Sequence, residues 1–455
     1  MIVPRNRLLF WTGVAVPLVG LAVAVPSLAV AAVPVAVLVL LALVDAFLAP
    51  GNLQGITVTM ADVVRLTKDR DGIIEIRFFL NQARARVKRV RVGLSLPAVV
   101  RSEQREMETE LPRDFKSALL QWPCKAIRRG KYKLTGVYIE TASPLGFWAA
   151  RKGQDVNTEI RVYPNVFPDR KNLSAMFLGR GLSGLHAQRQ VGKGRDFEKL
   201  REYQPGDSYE DIHWKTTAKR GSPVTKTYQI EKTQEVYLII DTSRLSARSA
   251  RLVSERRLSA RAAETEPDTI LERFVTSALV VGMAAQRQGD LFGLITFSDR
   301  VDTFLRAKNG KAHYDACREV LYTAQPKGVS PDFAEVFTFI ATRLRRRALL
   351  VFLTNMDDPV LAESFIRLHS AISRRHLVLV NMLRPPGARP LFSSDQVASV
   401  RDVYKALGGH LLWENLAELQ KKLRQGNVDF STVDNENMSA ELITQYLTVK
   451  QRQLL

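Results

Sequence analysis

Five side chains suited to acid–base or recognition chemistry crowd together between Asp207 and Lys215: Asp207, Asp211, His213, Trp214 and Lys215. Tyr203 and Gly206 precede them in Arg201-Glu-Tyr-Gln-Pro-Gly-Asp207, where Pro205-Gly206 is a turn pair. The spacing predicts a short helix capped by Asp207, with Glu210 completing a capping-box-like pattern and Gly221 closing it. On such a helix Asp207, Asp211 and Lys215 share one face, and Trp214 points elsewhere. Two readings stand. In one, Trp214 is a buried anchor and the charges pair locally. In the other, the polar face is read by a partner. A hydrolase built on Asp207, Asp211 and His213 is a further alternative, although no nucleophile motif frames them.

Other motifs carry less. Gly179-Arg-Gly-Leu-Ser-Gly184 spells GxGxxG, but no clear strand precedes it, and a linker reads better than a dinucleotide fingerprint. Gly192-Lys193-Gly194 lacks the Ser or Thr that a phosphate loop places after its lysine. No GxSxG elbow, HExxH helix or CxxC pair occurs, and the six histidines are scattered without metal-ligand spacing.

The elements that must position these residues fall into four segments. Residues 1–50 are dominated by the uncharged run from Leu8 to Ala49, broken only by Asp45. At 1.5 Å per residue this is about 60 Å of helix, twice a hydrocarbon core. Two spans, Leu8–Val25 and Leu28–Leu48 with Pro26-Ser27 between them, are expected, with a signal peptide as the rival. Arg5 and Arg7 before the first span place both ends, and everything after Pro50, in the cytoplasm. Residues 51–165 alternate apolar with polar in short runs separated by turn residues, which predicts an antiparallel, immunoglobulin-like β-sandwich. The run Arg84-Ala-Arg-Val-Lys-Arg-Val-Arg91 within it reads as the solvated face of a strand before it reads as a phosphate site.

Residues 166–232 form a connecting region that holds the Asp207–Lys215 group. From 233 to 455, near-continuous apolar strands alternate with helices: strands at Glu235–Asp241, Leu291–Phe297, Ala348–Thr354 and His376–Met382, a helix capped by Asp268, and a last helix from Met438. That pattern predicts a mostly parallel sheet covered on both faces, whose working edge is the carboxyl end of the strands. Asp241 ends one such strand and Asn355 follows another.

The chain carries 66 basic and 46 acidic residues, a net +20. This points to an anionic neighbour or to the positive-inside bias of a membrane protein. Two cysteines, Cys124 and Cys317, exclude a disulfide framework and fit a reducing compartment.

Asp241-Thr-Ser243, Gly293-Leu-Ile-Thr-Phe-Ser-Asp299 and Leu353-Thr-Asn355 resemble a von Willebrand factor A domain. In that fold a DxSxS strand end and two further loops hold one Mg²⁺. The resemblance implies Asp241, Ser243 and Ser330 as ligands, with Leu245 and Asn355 standing where a Ser and an Asp are expected. The implied site is degenerate: no cofactor is required by it, and Mg²⁺ is the ion it would take. More broadly, Arg128-Arg-Gly130-Lys-Tyr, Ser143-Pro-Leu-Gly-Phe147, Val162-Tyr-Pro164, Arg201–Asp207 and Ile212-His-Trp-Lys215, in that order after an apolar hairpin, resemble the domain of unknown function 58 family. Residues 244–266 look like an insertion. The resemblance implies a bacterial, membrane-anchored adaptor without enzymatic activity. It would be a multi-pass protein of the inner membrane, with its soluble domains in the cytoplasm. Its partners would be a MoxR-type AAA+ ATPase, a client protein and membrane lipid, with no specific nucleic acid. Binding of nucleic acid or anionic lipid through the excess positive charge is the alternative function.

Overall fold

Period-two patterning before residue 165 builds two sheets, visible in the computed structural model. It describes residues 1–24, 32–49, 53, 56–80, 89–111, 117–169, 191–192, 196–205, 207–229, 234–250, 268–391, 393 and 399–452. The chain divides into two units, Met1–Asn165 and Val166–Leu455.

In the first unit the strands are β1 (Ile2–Pro4), β2 (Ile56–Met60), β3 (Val63–Thr67), β4 (Asp71–Leu80), β5 (Arg89–Leu94), β6 (Val100–Arg101), β7 (Glu106–Glu110), β8 (Ser117–Ala126), β9 (Gly130–Ala142) and β10 (Trp148–Tyr163). One sheet runs β1-β10-β9-β5-β7 with β3 beside β10; the other runs β2-β4-β8-β6. They share a core that includes Phe78, Trp122, Ile139 and Val162, all fully buried. The sandwich expected from the sequence was antiparallel throughout. The larger sheet is mixed instead, because β10 is long enough to pair antiparallel with β9 and, at its far end, parallel with β3. The basic run is partly resolved by pairing: Arg89 meets Glu110 at 2.7 Å, and Arg91 meets Glu108 at 2.7 Å and Glu106 at 3.4 Å across β5 and β7. Residues 84–88 lie outside the described residues, as do 179–184, 193–194 and 251–266.

The expected two-span membrane hairpin is overturned. The apolar stretch holds α1 (Asn6–Ala24, 19 residues) and α2 (Ala32–Leu48, 17 residues). No helix among the described residues is long and apolar enough to cross a membrane. The physical reason is length and anchoring. At 17 residues α2 is about 25 Å long, short of a hydrocarbon core of about 30 Å. α1 spends its first turn on Asn6 and Arg7. The far end of α2 belongs to the β-unit. Asp45 is fully buried and accepts hydrogen bonds from Ser143 Oγ (2.5 Å) and from the backbone N–H groups of Leu145 (3.0 Å) and Phe147 (3.1 Å). Trp148 Nε1 donates to the Ala42 carbonyl at 2.8 Å. Adding up apolar residues credited to a membrane a turn of helix that the protein fold uses.

The second unit opens with a three-stranded sheet, β11 (Val191–Gly192), β13 (Val224–Gln229) and β12 (Asp196–Glu202) in spatial order. Helix α3 (Trp214–Arg220) lies in the β12–β13 connection. A six-stranded sheet follows, built from β14 (Glu235–Asp241), β15 (Leu291–Phe297), β16 (Val301–Lys308), β17 (Leu349–Leu353), β18 (Leu377–Leu383) and β19 (Val428–Val433) in the order β16-β15-β14-β17-β18-β19. All neighbours are parallel except β15 and β16. Its helices are α4 (Ile270–Arg287), α5 (Lys311–Thr323), α6 (Phe333–Arg343), α7 (Pro359–Leu368), α8 (Val400–Gln425) and α9 (Met438–Gln451). Alternate residues of β14 feed opposite faces. Val236, Leu238 and Ile240 pack with Phe274 of α4 and Leu442 of α9. Tyr237 and Ile239 pack with Phe337 of α6, Phe365 of α7 and Leu416 of α8.

Candidate functional site

The Asp207–Lys215 segment spans the gap between two paired strands, β12 and β13, whose register sets Arg201 opposite Thr225 and Glu202 opposite Val224. Local hydrogen bonds shape the excursion. Asp207 does not cap a helix. Its carboxylate accepts from Arg201 Nη2 at 2.6 Å and from the backbone N–H of Gln204 at 2.9 Å, closing the turn on itself. The Gln204 N–H, helped by the Arg201 guanidinium, holds the Asp207 carboxyl below its ordinary range. Tyr203 stacks on Tyr209 with ring centroids 5.9 Å apart, and the neighbouring Tyr209 phenol pushes the Tyr203 pKa up. A single 3-10 turn spans Tyr209–Asp211.

The helix cap lies six residues later than expected. Trp214 is the first helical residue and His213 the cap, Nδ1 accepting from the Thr216 N–H at 3.2 Å. Gly221 ends it in the left-handed region at φ 69°, a conformation that favours glycine. Asp207, Asp211 and Lys215 therefore do not share a helical face, and no hydrogen bond joins either acid to His213. Trp214 is not the buried anchor: it is 67% exposed, and Tyr209 is 74% exposed. Ile212 fills that role. It is 6% exposed and bridges to Thr225, while the N–H of His213 donates to the Val224 carbonyl at 2.8 Å. Gly206 lies outside the described residues. The excursion thus holds two aromatic rings in solvent on a short, internally braced frame.

The second constellation sits at the carboxyl edge of the large sheet. Asp241 is fully buried; Oδ1 accepts the Ser243 N–H at 2.7 Å and Oδ2 accepts the Thr354 hydroxyl at 2.6 Å. Burial pushes its pKa up, against the pull of those hydrogen bonds. The Ser243 hydroxyl accepts from the Leu245 N–H at 3.4 Å, and Asn355 turns its amide N–H toward the Leu245 carbonyl at 3.4 Å. Ser330 is exposed, and its hydroxyl accepts from Arg244 Nε at 3.1 Å. Nearby, Thr242 Oγ1 and Ser298 Oγ each donate to Asp302 at 3.1 Å, and Lys327 pairs with the same acid.

These donors do not fit a divalent cation. The one carboxylate has both oxygens engaged, Leu245 offers no side-chain oxygen, Asn355 removes a charge, and a guanidinium rests on Ser330. Among the described residues no group of three His, Cys, Asp or Glu is placed to hold a metal ion. Sequence reasoning missed Thr354 and Arg244. Thr354 was legible as the polar residue closing an apolar strand, whereas Arg244 depends on where the Val329–Ser330 loop comes to lie.

Fold and site together define an α/β unit with a polar carboxyl edge and a braced aromatic excursion leading into it. A family model described as protein of unknown function DUF58 matches residues 199–389, from β12 to just beyond β18. The uncharacterized protein Rv1480 of Mycobacterium tuberculosis is 24% identical over 207 residues, covering 45% of this chain and 60% of that protein. The uncharacterized protein YeaD of Bacillus subtilis is 23% identical over 126 residues, covering 28% of this chain and 31% of that protein. The chain thus aligns with less than two thirds of the length of these relatives. Among solved structures, the conserved hypothetical protein BatB from Bacteroides thetaiotaomicron aligns at TM-score 0.29 and 16% identity, over 48% of this chain and 99% of that one. The SpRpn10 VWA domain aligns at TM-score 0.27 and 9% identity, over 47% of this chain and 95% of that one.

Proposed function

We propose that the protein is a protein-interaction module that presents the Tyr209–Trp214 segment to a partner. The observation that carries this reading is the exposure of Tyr209 and Trp214, 74% and 67%, on a frame pinned by Ile212, by the Asp207–Arg201 pair and by the His213 cap. Large aromatic rings held rigidly in solvent pay little ordering entropy on binding, and Trp and Tyr dominate the energetics of interfaces. Tyr203, stacked behind Tyr209, and Lys215 beside Trp214 complete the surface. The partner class is the one that the family resemblance implies, a MoxR-type AAA+ ATPase, with the complex acting in the assembly or maturation of a client protein. The von Willebrand-like carboxyl edge serves in this reading as a metal-free scaffold.

The test is titration calorimetry of the full chain against a purified MoxR-type ATPase encoded by the same organism. Tyr209→Ala with Trp214→Ala weakens binding by about 2 kcal/mol or more, roughly 30-fold, with unchanged melting temperature. Unchanged affinity in that variant, or no binding by the parent chain, defeats the reading. Repeating the titration at high salt separates it from polyanion binding, whose affinity falls steeply with the logarithm of salt concentration.

A further inference from the structure

The amino-terminal edge of the large sheet lies opposite the groups described above. There β14 begins at Glu235, β17 at Leu349, and the antiparallel β16 ends at Lys308. A cavity of about 330 Å³ opens at this edge. Arg306 reaches it from β16, Arg343 from the end of α6, and Arg345 and Arg346 from the connection to β17; Glu235, Tyr237, Phe304 and Leu344 complete its lining. Glu235 is the single acid against four arginines, and its nearest contact with them is 4.0 Å, to Arg346. Arg306 and Arg345 have no carboxylate partner among the described residues.

Arg89 and Arg91 of β5 are neutralised by the acids of β7. The arginines of this edge are not. Arginine stays charged at any working pH, so proton release cannot relieve the repulsion among four guanidinium groups. At the same edge of the sheet, burial first and then Arg375 and Arg347 push the pKa of His376, just before β18, down to about 4. The walls are fixed. Tyr237 stacks on Phe304 with centroids 6.2 Å apart and accepts the Ala307 N–H at 3.2 Å, and Arg343 lies over the Phe339 ring at 5.9 Å.

We propose that this cavity binds a polyphosphate anion, either free pyrophosphate or the phosphate tail of a nucleotide. Guanidinium forks match phosphate oxygens in paired hydrogen bonds. The volume is at the low end of small-ligand sites, which run from about 300 to 1,000 Å³, and is too small for a folded partner element. Four positive groups facing one negative group suit a ligand with several charges.

The experiment is calorimetry of the full chain with pyrophosphate, ADP and adenosine at matched ionic strength. Pyrophosphate binds saturably at one site. Arg306→Gln with Arg345→Gln weakens it about tenfold or more, while Lys219→Gln with Arg220→Gln, on α3, leaves it within about twofold. ADP binding more tightly than pyrophosphate identifies the nucleotide as the source, and Phe304→Leu then removes the surplus; equal binding identifies free polyphosphate. Should the double variant melt early, Arg346→Gln, whose side chain is 79% exposed, gives the same reading. Absence of saturable pyrophosphate binding, an equal loss in the α3 variant, or adenosine binding as well as ADP overturns the proposal.

Discussion

Thr354 donates its hydroxyl to the buried carboxylate of Asp241 at 2.6 Å, tying together the ends of the adjacent strands β14 and β17. The bond makes Asp241 a brace of the carboxyl edge. Its other oxygen holds the Ser243 N–H, so the loop after β14 is set by the same side chain.

Asp241 titrates against the fold. Its folded pKa is raised above the ordinary 3.8, so its neutral form is favoured in the native state. The sign follows from linkage: that preference stabilises below pH 3.8 and is lost as pH rises through the folded value. Asp241→Asn keeps the shape, can accept from Ser243 and donate to Thr354, and removes the buried charge. Its melting temperature exceeds that of the parent at pH 7, and the gap narrows toward pH 4. Calorimetric scans across that range check it; a variant less stable at pH 7 contradicts a net cost of the buried charge.

Ile212 and Trp214 separate anchor from display. Ile212→Ala destabilises by about 2–5 kcal/mol, as large-to-small changes at buried sites do. Trp214→Ala leaves stability within about 0.5 kcal/mol, because a ring 67% exposed makes few contacts to lose. Urea denaturation of both variants measures the pair; equal losses return Trp214 to a structural role.

Millimolar Mg²⁺ leaves the melting curve of the parent chain in place, since ligand binding to the native state alone raises stability. Combining Arg244→Ala, Leu245→Ser and Asn355→Asp restores two side-chain oxygens, adds a negative charge and removes the guanidinium from Ser330. That variant gains a Mg²⁺-dependent upward shift. A shift in the parent is the contrary result.

Gly293 lies where a side chain has no room. A Cβ there runs into the Tyr237 ring and comes within 3.0 Å of the Ala307 nitrogen. Gly293→Ala therefore destabilises by about 1–3 kcal/mol, the range for overpacking a core. Denaturant titration reads it, and a neutral result shows that Tyr237 can swing aside.

Much of the second unit was legible because its signals are local. The apolar runs at β14, β15, β17 and β18 are near-continuous and bounded by polar residues, which suits strands buried on both faces. The helix after Asp268 announces itself by its cap, although Thr269 is the residue that caps it. Helix α8 was not legible. Val400, Val403, Tyr404, Leu407 and Leu411 form an exposed stripe, while Leu416, Leu419 and Leu423 form a buried one rotated by roughly a third of a turn, so no single periodicity emerges.

Composition and residue order alone determined the charge excess, the missing disulfides and the density of polar groups around Trp214. Which of those groups faces solvent was decided by the β12–β13 register, which buries Ile212 and leaves Tyr209 and Trp214 outside. The apolar length of the first fifty residues was plain, but tertiary hydrogen bonds to Asp45 assign the end of α2 to the β-unit. The arginine cavity was equally out of reach, because Arg306 and Arg343–Arg346 converge only when the antiparallel β16 returns the chain to the amino-terminal edge. Local pattern reports burial averaged over an element. Which buried or exposed groups become neighbours depends on strand order and register, and many sequences with the same pattern leave those open.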